Sequence, residues 1–505
     1  MRYLFTGMQA KELDTHAIET VGFPGLVLME KAAMTLVSVL MERERQDRGV
    51  LFVCGTGNNG GDGLAAARML YQQGVPTAIL MVGEAGKLSP DAKKQVELAA
   101  ACDVPAVTEE AVFSPAFDVI VDGLFGVGLS REVTGVYEKV IQDINQSGKK
   151  VYAVDVPSGI NGNDGTVMNA AVKADVTVTF GVNKLGLVLY PGCQYAGEVV
   201  VGDIGYPEAS YRAVRNPAYY YEPEDLQRIL PARRPDGHKG SFGHVSVIGG
   251  SREMGGAALF SAKAAYAAGA GLVHVCSAEE NRNLLLSGVP EILFSSYGNE
   301  TEGIDREALE QVLAFSDVVV LGPGLGKKPL SKEIVQYVLQ YCEKPVILDG
   351  DGITLCKKEE ISGKKNLILT PHPKEFSVIS GKKIDLLKAD LISLVCSFAE
   401  ETGCIVAGKD ARTVVGNGRE VYVNVSGNSG MATGGSGDVL TGIIAAFLAQ
   451  GVPAFEAVKA GVYVHGIAGD FFVQRYNEYS LTASGLIQSL NDVLRVKALH
   501  GEGND

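Results

Sequence analysis

Residues 50–73 read VLFVCGTGNNGGDGLAAARMLYQQ. The first five are continuously apolar, as a strand buried on both faces is. Residues 55–63 hold only glycine, threonine, asparagine and aspartate. An apolar helical pattern follows over 62–73. Strand, glycine loop and helix make half of a parallel βαβ unit. That reading sets the terms for the chain on either side.

The unit recurs outward. β-rich runs lie at 78–82, 118–122, 151–155, 175–180 and 198–202, with helical patterns at 90–101 and 136–147. Helical stretches near 8–20 and 25–46 come first. A spacing of about 30 residues per unit predicts a parallel sheet covered on both faces. Residues 207–224 break the rhythm with three prolines and a tyrosine run, and they read as a linker. The alternation resumes at 244–248, 272–276, 317–321, 345–349, 366–370 and 404–407. Strands near 412–415 and 420–425 then flank Asn417-Gly418, a preferred hairpin turn. The remainder is helical. The expectation is two α/β domains, 1–214 and 225–505.

The totals agree with that scheme. A length of 505 residues would make three domains at about 150 each, or two larger ones. Glycine is abundant, at 62 residues. A net charge of −14 disfavours nucleic acid and anionic membrane surfaces as partners. No apolar run is long enough to span a bilayer, and the N-terminus does not read as a signal peptide. The eight cysteines form no CxxC pair and read as buried, reduced thiols. A cytoplasmic protein is expected.

The loop Gly55–Gly63 contains a literal GxGxxG. It is not a dinucleotide fingerprint, because the next strand, AILMVG, ends without the acidic residue that holds a ribose. Asn58, Asn59 and Asp62 also crowd a phosphate seat with oxygens. Asp62, at the expected helix start, suits capping. The loop reads as a seat for a cation and polar groups. Asp122 and Asp155 end two other strands, and ligands gather at strand carboxyl ends in such sheets.

In the second half the most specific run is 427–442, GNSGMATGGSGDVLTG. Gly434, Gly435 and Gly437 leave backbone N–H groups open at a helix N-terminus, an anion hole for a transferring phosphoryl group. Asp438 at its mouth suits a base for a substrate hydroxyl. No P-loop motif exists. The alanine-rich run at 257–268 predicts a slim helix close to the sheet. Lys409, after strand 404–407, suits a nucleotide phosphate. His465 reads as a packing histidine, and Tyr219–Tyr221 as linker packing.

GTGNNGGDG, DGLFGVGLSREVTGVY and DVPSGING resemble the N-terminal half of bifunctional NAD(P)H-hydrate repair enzymes. HKGSFGHVSVIGGS, LGPGLG, TPHP and GNSGMATGGSGDVLTGIIAAFLAQG resemble the C-terminal half. The resemblance implies a Rossmann-like three-layer α/β/α epimerase domain followed by a ribokinase-like α/β/α dehydratase domain. The first would interconvert R and S hydrates of NADH and NADPH (NADHX and NADPHX). The second would dehydrate the S form with ADP and Mg²⁺. The resemblance further implies K⁺ on Asn59, Asp122 and Ser158. Hydrate would bind at Asn58, Asn59, Gly60, Gly61, Asp62, Gly126, Val127, Gly128, Leu129, Ser130, Arg131, Glu132, Tyr137 and Asp155, with Asp155 as acid/base. The dehydratase substrate would touch Ala258, Gly324, His372 and Asp438. The nucleotide would lie on Lys409, Asp410, Ala411, Arg412, Thr413 and Gly437. A homo-oligomer is expected on the same ground.

Three departures from the family pattern stand out: Lys374 and Asp410, and the run Asp349-Gly350-Asp351-Gly352. Two rival readings are a vitamin-type kinase, which would not need the upstream GTGNNGGDG domain, and a non-catalytic binding protein. The latter has no use for Asp122, Asp155 and Asp438 together.

Overall fold

The computed structural model describes residues 1–45, 47–230, 233 and 235–499. The chain divides into two compact units, Arg2–Pro217 and Ala218–Asp505, Met1 being grouped with the second.

The N-terminal unit is built on six parallel strands. Their order is Thr77–Met81, Val50–Cys54, Val119–Gly123, Lys150–Val154, Val176–Phe180 and Glu198–Gly202. Successive residues serve opposite faces. Phe52, Val121, Tyr152 and Val154 join one core cluster, and Leu51, Val53, Ile120 and Ala153 join another. Two cores on one sheet require helices on both faces, which is the three-layer arrangement. The strand order reverses between Val50–Cys54 and Val119–Gly123. A crevice opens at such a point.

The helix after Val50–Cys54 is Asn58–Gln72, four residues longer at its start than the sequence predicts. Asn58 to Gly61 are therefore its first turn, not a loop. The glycines there serve close approach. A Cβ on Gly60 would lie 2.0 Å from the Gly55 carbonyl oxygen, and one on Gly61 would lie 2.6 Å from Met29 Cε. With Gly57 at the cap position, Asp62 is in the second turn and caps nothing. The stretch expected near 8–20 is an α-helix, Gly7–Thr15, running into a π-helical turn, His16–Thr20. Such turns are rare and cluster at functional sites.

The segment read as a linker carries a helix, Glu208–Ala213, and a strand, Ala218–Tyr220. Its prolines hid a short element that pairs in parallel with Val421–Val423. Tyr220 and Tyr221 are buried, and the Tyr221 hydroxyl donates to Glu456 Oε2 at 2.9 Å.

The C-terminal unit orders its sheet as Leu293–Ser296, Leu272–Ser277, His244–Ile248, Val318–Leu321, Val346–Leu348, Leu367–Leu369, Ile405–Gly408, Val414–Gly416, Val421–Val423 and Ala218–Tyr220. The first seven run parallel, and the predicted hairpin adds two antiparallel strands. Leu293–Ser296, at the sheet edge, was not foreseen from the sequence. Here the order reverses between His244–Ile248 and Val318–Leu321. The loops beyond them interlock: Gly250 N donates to the Pro323 carbonyl at 2.8 Å, and Ser251 N to that of Gly324 at 2.6 Å.

The alanine-rich helix, Gly255–Ala267, lies against Ser436–Ala449. Ser261 Oγ donates to the Asp438 carbonyl at 3.0 Å. A Cβ on Gly442 would sit 2.3 Å from the Ser261 carbonyl oxygen. Gly442→Ala therefore has two opposed effects. Helix propensity favours alanine by about 1 kcal/mol. Forcing two buried helices apart costs about 1–3 kcal/mol. The clash wins, so the unfolding midpoint of the variant falls. A higher midpoint would show that the helices have room to separate.

Candidate active sites

The N-terminal crevice holds a cavity of about 540 Å³. Its wall includes Asn58, Asn59, Asp62, Asp155 and residues Gly126 to Arg131. The structure thus brings together most of the residues named from the sequence. Gly60, Gly61, Asp122, Ser158, Glu132 and Tyr137 lie outside that wall. Tyr137 packs its ring on Phe125, centroids 4.8 Å apart.

Asp122 and Ser158 form a buried pair beneath the cavity, each 0% exposed. Ser158 N donates to Asp122 Oδ2 at 2.8 Å, and Ser158 Oγ to Oδ1 at 2.6 Å. Leu124 N adds a bond at 3.2 Å. Burial without a cationic partner pushes the Asp122 pKa up to about 6, although these bonds act to lower it. Asn59 meets the same strand end. A Cβ on Gly126 would sit 2.7 Å from Asn59 Oδ1, and Asn59 Nδ2 is buried without a partner. The Phe125 carbonyl lies 3.2 Å from Ser158 Oγ. One carboxylate among neutral oxygens is a donor set for a large monovalent cation. A divalent ion would draw more carboxylates. Among the described residues, no group of three or more His, Cys, Asp or Glu side chains is placed to hold a metal.

Asp155 follows its strand rather than ending it, and takes φ +64°. That conformation is sparsely populated outside glycine and is retained only where surroundings enforce it. Lys184 is the side-chain partner of Asp155, and Asp155 N donates to the Val178 carbonyl at 2.8 Å. Lys184 Nζ lies 2.6 Å from Asp155 Oδ1, 2.8 Å from Thr179 Oγ1 and 2.9 Å from the Phe180 carbonyl. Thr179 Oγ1 donates to the same Asp155 oxygen at 3.0 Å. The two side chains are 3% and 13% exposed, so the ion pair is a buried one.

Lys184, Asp14 and Tyr206 line the cavity, and sequence reasoning named none of them. A lysine in GVNKLGLVLY carries no local signal of a partner 29 residues upstream. Asp62 is pushed well above the ordinary carboxylate range, first by burial and then by repulsion from Asp155 and Asp14.

The C-terminal cavity, of about 630 Å³, is lined by Gly324, His372, Gly435 and Asp438. Ala258 is fully buried, and Ala257 beside it faces the cavity. Asp438 is in the first turn of Ser436–Ala449, with Gly435 as the cap residue. No capping bond from its side chain is formed. Its pKa is pushed up to about 7 by burial, then by repulsion from Asp349, with Lys409 opposing and Glu375 adding.

Three adjacent strands deliver two charges and a hydroxyl behind it. Asp349, Thr370 and Lys409 each follow the last residue of neighbouring parallel strands. Asp349 Oδ1 accepts from Thr370 Oγ1 at 2.6 Å and from Lys409 Nζ at 2.8 Å. Burial works against the Lys409 charge, yet Asp349 and then Glu375 leave its pKa raised. A Cβ on Gly437 would lie 3.1 Å from Lys409 Nζ, so this cation stands beside the open helix N-terminus.

Lys409, Asp410, Ala411, Arg412, Thr413 and Gly437 are outside the wall of the Asp438 cavity. Asp410 Oδ1 accepts from Ala411 N at 2.8 Å, and Arg412 donates to the Val425 carbonyl at 3.0 Å. Lys374 does line the cavity and is exposed. His372 caps the helix Pro373–Ser380, accepting from Lys374 N and Glu375 N. His465, buried and held down to about 4 by burial, sits 3.2 Å from Ser436 Oγ, behind the same turn.

Comparison with known proteins agrees with both halves. The family model described as NAD(P)H-hydrate dehydratase matches residues 245–491, and that described as YjeF-related protein N-terminus matches 25–186. The chain is 38% identical to the bifunctional NAD(P)H-hydrate repair enzyme Nnr of Thermofilum pendens, over 96% of this chain and 95% of that one. It is 36% identical to the Coxiella burnetii enzyme of the same name, over 97% and 99%. A ribokinase-like superfamily protein from Enterococcus faecalis superposes with a TM-score of 0.51 at 31% identity, covering 55% of this chain and 96% of that one. The two family models fall in order on the two units, each with a cavity at the reversal point of its own sheet, and with relatives matched over nearly their whole length the chain belongs to the bifunctional NAD(P)H-hydrate repair enzymes.

Proposed function

We propose that the N-terminal cavity interconverts the R and S hydrates of NADH and NADPH, and that the C-terminal cavity dehydrates the S form at the expense of ADP. The observation that carries the reading is Asp438. It is a half-buried carboxyl whose pKa is pushed up to about 7, without a capping role, facing a cavity at a helix N-terminus. Such a group takes a proton from a substrate hydroxyl as the phosphoryl group is received by N–H donors.

Asp438 accepts the C6 hydroxyl proton, and the oxygen takes the terminal phosphoryl group of ADP, leaving AMP. The C6–O bond then breaks with its electron pair going to phosphate, and a C5 proton is lost. The C5–C6 double bond of the dihydronicotinamide results. Lys409 and the first-turn N–H groups hold phosphate charge, and Gly437 keeps that approach open. Asp410 is exposed and accepts from Ala411 N, a bond that leaves its negative charge beside the proposed nucleotide site. Mg²⁺ keeps several waters and binds chiefly through substrate phosphates, so it needs no protein cage. Stoichiometric appearance of AMP, phosphate and reduced cofactor from S hydrate and ADP tests this half. Cofactor recovery without nucleotide consumption would refute it.

K⁺ fits the Asn59, Asp122, Ser158 and Phe125 oxygens, where it would neutralise a buried carboxylate beneath the hydrate site. Ligation requires ionised Asp122, whose raised pKa of about 6 delays ionisation. K⁺ affinity is therefore expected to be full above pH 6 and to fall as pH drops through it. At about 100 times its dissociation constant, K⁺ stabilises the fold by roughly 2.7 kcal/mol. Thermal unfolding in KCl against choline chloride measures this. Identical midpoints would remove K⁺ from the site.

The buried thiols Cys54, Cys276, Cys356 and Cys404 suit a reducing cytoplasm. No helix among the described residues is long and apolar enough to cross a membrane. A homo-oligomer is proposed on the family resemblance.

A further inference from the structure

We propose that Asp14 is the second proton-transfer group of the epimerase site, serving the face of the nicotinamide ring opposite Asp155. The inference rests on the epimerase reading above.

Moving a hydroxyl between the two faces of C6 needs a proton donor where the oxygen leaves and a proton acceptor where water returns. One carboxylate, locked on one side of a flat ring, cannot serve both. Asp155 is so locked, to Lys184 at 2.6 Å and Thr179 at 3.0 Å. With Oδ1 already accepting from both groups, Asp155 is assigned the acceptor role. The donor must come from another element of the cavity.

Asp14 supplies it from the last turn of Gly7–Thr15, just before the π-helical turn His16–Thr20. It lines the same cavity as Asp155 and Lys184. The Tyr206 hydroxyl, 3.2 Å from Asp14 Oδ1, fixes one carboxyl oxygen and leaves the other for substrate. Burial raises the Asp14 pKa, Tyr206 lowers it, Asp155 raises it, Lys184 lowers it and Asp91 raises it, with a net rise.

In one direction, Asp14 gives its proton to the C6 hydroxyl. Water leaves with the C–O electron pair, and the ring nitrogen lone pair forms a cationic C6=N1 bond. Water then adds to the other face as Asp155 accepts its proton. The products are the opposite epimer, ionised Asp14 and protonated Asp155, which are set for the reverse reaction. No oxidant or reductant is consumed.

The test uses the full chain, with R hydrate as substrate and S hydrate as control. In Asp14→Asn, kcat for R-to-S conversion falls by about 10²–10³. KM changes little, and S dehydration is unchanged. Wild-type epimerisation in H₂¹⁸O places the label in the C6 hydroxyl. The wild-type rate declines on an alkaline limb as Asp14 loses its proton. Tyr206→Phe shifts that limb, and Asp14→Glu restores part of the rate. Wild-type protein that does not epimerise overturns the epimerase reading itself. An active wild type with an Asp14→Asn variant within threefold of it overturns only Asp14. So does loss confined to Asp62→Asn, which would make Asp62 the donor. Epimerisation without label uptake overturns the water-loss step.

Discussion

Replacing Asp438 with asparagine lowers the rate of S-hydrate dehydration by about 10²–10⁴-fold. Asparagine keeps the size and polarity of the side chain but cannot accept the hydroxyl proton. Helix Ser436–Ala449 should survive, because Asp438 makes no capping bond. The pH profile sharpens the expectation. A base works only when ionised, and the folded pKa is raised to about 7 by burial and by Asp349. Wild-type activity is therefore low below pH 7, rises through it and levels off above it. Steady-state kcat across the neutral range, measured for both proteins, decides the matter. A variant with near-normal turnover, or a wild type that loses activity as pH rises through 7, would refute the base role.

Lys184→Met destabilises the N-terminal unit by about 3–5 kcal/mol and abolishes epimerisation. Methionine fills the volume, so packing alone predicts a small change. The loss comes from Asp155, 13% exposed and left at φ +64° with Thr179 Oγ1 as its remaining side-chain partner. Replacing both partners, Lys184→Met with Asp155→Asn, removes the charge from both sides. Much of the stability then returns, while epimerisation remains absent. Hydrogen exchange at strand Lys150–Val154 localises the effect to this unit, as a two-unit chain requires. A single variant as stable as wild type would show that the pair is well solvated.

The parallel scaffold was legible because its strands are apolar runs of near-constant spacing. Glu198–Gly202 and the helix Pro90–Ala101 fall where the pattern puts them. The glycine loops were legible because few residue types tolerate such approaches, as Gly60 against Gly55 shows. Lys184 and Asp14 were not legible. Each owes its position to tertiary packing that brings a distant segment over the crevice, and neither sits in a distinctive motif. Asp349 was seen only as a departure in LDGDGI. Its bonds to Thr370 and Lys409 exist because three strands far apart in sequence end side by side. The start of Asn58–Gln72 was misplaced because asparagine and glycine are poor helix formers. Here the crevice wants their N–H groups and small size at a helix N-terminus.

The most direct test of the two-site account is one progress curve. An equal mixture of R and S hydrates of NADH is given to the protein with ADP, Mg²⁺ and K⁺, and dihydronicotinamide absorbance is followed after correction for spontaneous epimerisation. Wild-type protein should recover the full amount, Asp155→Asn only the S half, and Asp438→Asn almost none over the same interval. Recovery that stops at half with the wild type, or full recovery with Asp155→Asn, would contradict the account.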